Sequence, residues 1–230
     1  MYAAVAVFAV AAAAAGQDQG TKNEFGPGFG IGFEVTRRVR LDFIVAKDKS
    51  EELHSSRSRF VAGISFRTKP LLKRFLDDYD ADKAHILVVS PYYEYAHSSE
   101  NGVTTNEHRF TIEAAARYAF TKKTLATDRN RAEFRFINGD HHFRYRNQLI
   151  VEHRLRVKKV RFAPYGSVEA IWDRTADRWS HFNFSSGAFI PFFGRSVFDV
   201  YYERQHCNTC ADVKTNVFGL KLYYFVKLKH

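Results

Sequence analysis

His142-Phe143-Arg144-Tyr145-Arg146-Asn147-Gln148-Leu149-Ile150-Val151-Glu152-His153-Arg154-Leu155 alternates in character along its whole length. Phe143, Tyr145, Leu149, Val151 and Leu155 share one face, while Arg144, Arg146, Gln148, Glu152 and Arg154 share the other. A period of two belongs to a β-strand, because successive side chains leave opposite faces of the pleat. The segment before it repeats the pattern, with Ala132, Phe134 and Phe136 set against Arg129, Arg131, Glu133 and Arg135. Asn138-Gly139-Asp140 lies between the two and reads as a hairpin turn. Folding back there puts Arg135 nearly opposite Arg144, and Glu133 near Arg146. Like charges directly opposite destabilise a sheet, so Glu133 is expected to bridge Arg131, Arg135 and Arg146.

Working outward, alternating segments recur near 28–36, 38–47, 57–67, 84–96, 105–120, 159–173, 178–190, 195–206 and 214–226. With the central pair they make about eleven strands, many longer than the usual five or six residues. Closure removes exposed sheet edges, and single-chain bacterial barrels have even strand counts. The expected fold is therefore all-β, a closed antiparallel transmembrane barrel of about 12 strands (range 10 to 12), with the missing strand sought within Gln17 to Pro27. Helical signal is confined to Pro70 through Leu76, which allows two turns at most. Gly26, Gly28, Gly30 and Gly32 alternate and mark a tight or closely packed strand rather than a phosphate cradle.

Composition agrees with this reading. The 230 residues include 22 Phe, 12 Tyr and 2 Trp, and aromatic side chains suit a pleated surface. Lys and Arg number 35 against 25 Asp and Glu, a net charge of +10 that by itself would fit a nucleic acid or an anionic lipid. A nucleic-acid surface interleaves basic and aromatic residues on one face; here they fall on opposite faces, so no nucleic-acid partner is expected. No apolar run is long enough for a membrane-spanning helix. A membrane barrel needs none, since its strands are only half apolar.

The connections between strands also alternate. Thr36-Arg37-Arg38, Thr68-Lys69-Pro70 through Asp82, Thr121-Lys122-Lys123, Val157-Lys158-Lys159 and Phe193-Gly194-Arg195 each hold Lys or Arg. Those between them, such as His97 to Gly102 and Gln205 to Asp212, are more acidic or polar, and several read as longer. Short basic turns on one rim and longer loops on the other are the pattern of outer-membrane barrels.

Residues 1–15 are apolar and Ala-rich, end in small residues and are followed by Gly16-Gln17-Asp18-Gln19, the outline of a secretory signal peptide. Residues 16–230 then form a single barrel domain. Export leads to an oxidising compartment, where Cys207 and Cys210 could pair as a small-loop disulfide. The rival readings are two free thiols or a fragment of a metal site, for which only His206 is nearby. No phosphate loop, His-Glu-x-x-His, Gly-x-Ser-x-Gly or paired Cys-x-x-Cys occurs, so no metal, cofactor or catalytic residue is assigned.

Several stretches resemble a bacterial family. They are Thr105-Asn106-Glu107-His108-Arg109, Asp128 through Phe136, Arg144 through Leu149 with Glu152-His153, Pro164 through Glu169 with Asp173, Tyr201 through Gln205, and Asn216 through Leu220. The family is the outer-membrane β-barrels called domain of unknown function twenty-four ninety, and the resemblance spans roughly residues 30 to 226. The Arg-Asn-Arg-x-Glu-x-Arg run is its most specific part. It implies an outer-membrane location and a barrel fold but carries no catalytic assignment. The partners it implies are outer-membrane lipid and lipopolysaccharide, together with the barrel-assembly machinery.

The expected lumen charges are Arg109, Glu113, Arg117, Arg131, Glu133, Arg135, Arg144, Arg146, Glu152, Glu169, Asp199, Glu203 and Lys221, which lie opposite the apolar faces of their own strands. The leading function is a structural or narrow solute- or lipid-related barrel. A barrel enzyme acting on envelope lipid or peptide is the alternative, drawing on His85, His108, His153 and His181 near strand ends with Ser90, Ser167 and Ser185, although no spacing unites them. A soluble ligand-binding barrel gives the same alternation.

Overall fold

The structure is a computed structural model and describes residues 21–50, 55–72, 80–158, 160–193, 195–208 and 214–228. The expected signal peptide, residues 1–15, lies outside them. Among the described residues twelve strands occur: β1 Thr21–Glu34, β2 Val39–Ser50, β3 Ser55–Arg67, β4 Leu87–Glu100, β5 Val103–Ala119, β6 Thr124–Ile137, β7 Asp140–His153, β8 Leu155–Val157, β9 Val160–Asp173, β10 Arg178–Phe192, β11 Ser196–Cys207 and β12 Lys214–Lys227. One 3-10 turn, Ala81–Ala84, precedes β4. Pro70–Leu72 is not helical, and the rest of the expected helical stretch lies outside the described residues.

Sequential strands pair antiparallel around a ring. β8 is the tail of β7 beyond Arg154 and touches only the first residues of β9, so the wall has eleven staves rather than twelve. The ring closes by a parallel pair, β1 with β12, in register from Thr21↔Lys214 to Glu34↔Lys227. That closure corrects the even count: a parallel pair joins two strands running the same way, as an odd number of staves requires. Within the interval where a twelfth strand was sought, Thr21 to Pro27 is the beginning of β1, and Gln17 to Gly20 lie outside the described residues.

The central hairpin corrects a register. Ile137 pairs with Asp140, so Asn138 and Gly139 alone make the turn. Both have positive φ, 50° and 99°, the left-handed geometry that suits the twist of a two-residue hairpin. Arg135 therefore faces His142, and Glu133 faces Arg144. The expected length difference between rims is also overturned. Asn101-Gly102 and Asn138-Gly139 on the less basic rim are two-residue turns, whereas the connection after β3 on the basic rim is the longest, running from 68 to 86.

Polarity is inside-out. Phe184, Phe110, Val45 and Leu149 on the outer face are 54%, 52%, 50% and 48% exposed, while Glu133 and Glu169 inside are 0% and 3% exposed. A soluble barrel reverses this arrangement. Charges within and an apolar belt without are the pattern of a membrane barrel, whose outer face meets hydrocarbon. Aromatic contacts gird that face towards the less basic rim, including Phe134 on Phe143 at 5.3 Å and Tyr145 near Trp179 at 6.3 Å.

Candidate functional site

The lumen is where the chain places its chemistry, and its walls are packed by three linked groups of ion pairs. Period-two alternation sends every second residue of β5, β6, β7 and β9 inward, which stacks acids and bases at neighbouring heights. At mid-height Glu169 is the hub: Arg146 donates to it at 2.5 Å, Asn183 at 2.9 Å, and Arg131 is bound to it as well. Arg146 also reaches Glu133 at 3.3 Å, and Arg109 lies 3.8 Å from the same carboxylate. Glu113 accepts from Arg129 at 2.6 Å. Towards the less basic rim, Glu107 accepts from Arg109 at 2.7 Å, Arg135 at 2.5 Å and Arg57 at 3.2 Å.

The third group lies at the basic rim. Asp80, Asp82 and Lys83, ahead of β4, line the lumen, and the Asp80 side chain caps the short helical turn by accepting from Asp82 N. Arg40 binds Asp80 at 3.0 Å and Asp82 at 2.7 Å, while Arg67 binds Asp82 at 2.5 Å and Glu34 at 2.8 Å. Lys83 pairs with Glu152 and sits 3.9 Å over the Phe189 ring. Burial raises the Asp80 carboxyl, but Arg40, Lys83 and Arg117 outweigh it and hold it at about 2. His85 Nδ1 lies 2.6 Å from the Thr68 carbonyl, and burial lowers its imidazole below the ordinary value. Leu72 packs on Leu125, which is fully buried, and anchors the segment through apolar contact.

Opposite the ion pairs, the wall of β10, β11, β12 and β1 is built from glycines and tyrosine rings. A Cβ on Gly30 would lie 2.6 Å from the Tyr223 ring, and one on Gly219 would lie 2.0 Å from Tyr201. The alternating glycines of β1 are thus close-packing positions, as their spacing suggested. Tyr165 stacks on Phe189 at 4.6 Å and donates to Asp199 at 2.9 Å. Between the two walls remains a cavity of about 790 Å³, lined from Asp80 and Lys83 at one end to Ser56 and Ser98 at the other.

All thirteen expected lumen charges face inward. Arg109, Glu113, Arg117, Arg131, Glu133, Arg144, Arg146, Glu152, Glu169, Asp199, Glu203 and Lys221 line the cavity, and Arg135 is spent on Glu107 beside it. The partners of Glu133 differ from expectation. Arg146 is kept as expected, but Arg109 from β5 takes the place of Arg131 and Arg135, which pair with Glu169 and Glu107 instead. Glu107 and Arg129 were missed, although each lies two residues from a chosen position on the same face. Arg40 has a local partner in Asp42, but the pairing of Arg40 and Arg67 with Asp82, and of Lys83 with Glu152, left no local signal, since these residues are far apart in the chain.

Cys207 is disulfide-bonded at the end of β11; its expected partner Cys210 lies outside the described residues. The serines weighed for catalysis are engaged elsewhere. Ser90 donates to Ser65 and Ser185 to Glu203, while His108 contacts Tyr93 and His153 contacts Thr124. Among the described residues no group of three or more His, Cys, Asp or Glu could hold a metal ion.

Fold and lumen define a closed, charge-braced β-barrel of membrane type. No family model matches the chain, and no curated protein matches it. Among solved structures it is similar to LpxR from Salmonella typhimurium, at 8% sequence identity and a TM-score of 0.47, over 81% of this chain and 83% of that one.

Proposed function

We propose that this chain is an outer-membrane barrel whose lumen is a braced chamber closed at the basic rim, a structural or narrow solute- or lipid-related barrel rather than a free diffusion pore. The observation that carries the reading is the described end of the connection after β3, where Asp80, Asp82 and Lys83 line the lumen and are tied by ion pairs to Arg40 on β2, Arg67 on β3 and Glu152 on β7. Cutting one pair leaves the others in place, so the plug is held redundantly. The exposed aromatic and aliphatic belt supports a hydrocarbon environment, with outer-membrane lipid and lipopolysaccharide as neighbours and the barrel-assembly machinery as the route of insertion. The resemblance of the Asp128 to Phe136 run to outer-membrane barrels supports the same location.

Planar-bilayer recording on the folded, purified chain tests this. Wild type should conduct little, and the combined Arg40→Ala, Arg67→Ala and Lys83→Ala variant should open a stable channel. A large steady conductance from wild type would overturn the closed-chamber reading. Recovery wholly in the soluble fraction, with equal gel mobility boiled and unboiled, would overturn the membrane location.

A further inference from the structure

One polar patch lies in the middle of the outer face, unlike the Asn23 and Asn216 pair near the strand ends of β1 and β12. Asp128 and Asn130 on β6 and Asn147 on β7 point outward with the apolar residues of their strands, and Asp128 is exposed. They form a connected cluster. Asn147 Nδ2 donates to Asp128 at 2.7 Å and to Asn130 at 3.0 Å, Asn130 Nδ2 donates to Asp128 at 3.1 Å, and the Tyr145 hydroxyl donates to Asn130 at 2.5 Å.

The cluster does not sit at a rim. On one side along the barrel lie Ala126, Val151 and Tyr118, which packs on Phe120 at 5.0 Å. On the other lie Ala132 and the Phe134–Phe143 pair. Asn130 is near the middle of β6, so the polar group falls within the apolar band. A carboxylate and two amides facing hydrocarbon are costly, because lipid chains supply neither donors nor acceptors. Polar side chains at membrane depth are usually covered by protein.

The surroundings fit a flat partner. Asp128 is flanked across the sheet by Ala116 and Asn130 by Ala114, and Asn147 by Ala170. Small residues let two backbones approach closely, and polar side chains then bond across the contact.

Resting on the membrane reading above, we infer that this β5–β6–β7–β9 face is the interface with a second copy of this chain. The cluster is self-complementary. After its internal bonds, Asn147 Oδ1 remains an acceptor and Asn130 Nδ2 keeps a second hydrogen. A twofold axis parallel to the barrel axis lets each copy offer both, forming reciprocal amide pairs that enclose the carboxylates. Each protomer then keeps its own lumen and plug.

Site-specific cross-linking in native membranes tests the inference. Ala116→Cys beside Asp128 should give a homodimer with a short membrane-permeant bis-thiol reagent, whereas Phe43→Cys on the far side of the barrel should give several times less. Adding Asp128→Leu and Asn147→Leu should abolish the dimer while heat-modifiable mobility persists, which shows that the barrel still folds. Equal cross-linking from both cysteines, or a product containing a different protein, in a chain that fractionates with membranes and remains heat-modifiable, overturns the dimer and leaves the membrane reading intact. Absence from membranes overturns both.

Discussion

The wall made by β4, β5, β6, β7 and β9 and the wall made by β10, β11, β12 and β1 fill the same lumen by different chemistry. The first wall uses long charged side chains whose ends meet near mid-lumen, with Glu169 holding Arg131, Arg146 and Asn183 together. The second removes side chains from the backbone at Gly30, Gly187 and Gly219 and lays Tyr223, Tyr165 and Tyr201 in the space left. The difference sets how each wall can fail. A charged wall fails by subtraction, because losing one partner strands another buried charge. A glycine wall fails by addition, because one methyl group has nowhere to go.

The largest effect is expected from Glu169→Ala. Two guanidinium groups lose their shared carboxylate, a change that costs about 3 to 5 kcal/mol for a buried pair and less where lumen water enters. Thermal unfolding in detergent should show a large drop, against almost none for Glu100→Ala at the exposed end of β4. Glu133→Ala should fall at or below the lower end of the same range of about 3 to 5 kcal/mol. Its partners stand farther off, at 3.3 and 3.8 Å, and its Oε2 has no bond. Unchanged stability with ion selectivity shifted towards anions would mean a wide wet channel and would end the contrast between the walls.

On the glycine wall, Gly187→Ala is expected to cost about 1 to 3 kcal/mol, since overpacking is relieved only by moving its neighbours. The new methyl would lie 2.6 Å from the Val200 carbonyl oxygen, which belongs to the backbone and cannot swing aside. The same unfolding assay measures it, and a neutral result would mean that this wall is looser than the charged one.

The plug responds to acid. Asp80 titrates at about 2 in the folded chain, below its ordinary 3.8, so its contribution is full above 3.8 and is lost as pH falls through about 2. Conductance recorded at stepwise lower pH should stay low near neutrality and rise between about pH 4 and 2, with Asp80→Asn already weakened at neutral pH. The smallest effect is expected at Gly219→Ala. Its clash is with the far end of the Tyr201 ring, which can rotate, so stability should drop by less than at Gly187.

Much of this was legible because strand alternation is local. The polar face of the Arg129 to Arg135 run named lumen residues directly, and carrying the same parity back from Arg109 would have added Glu107. The alternating glycines of β1 were readable as close-packing positions, though not what packs there, because Tyr223 approaches from β12 at the far end of the chain.

Period two and charge placement in the sequence determined the eleven long strands, the all-β class and which side chains turn inward, since a residue's face follows from its parity along its own strand. Pairing depends on where strands meet in space, and only the tertiary structure decided it. That includes the parallel closure of β1 on β12, the two-residue turn that sets Glu133 opposite Arg144, the approach of Arg109 from β5 to Glu133, and the pairing of Lys83 with Glu152. Partners this far apart in sequence leave no periodic trace, because each interaction is a single crossing of the lumen and not a repeat along the chain.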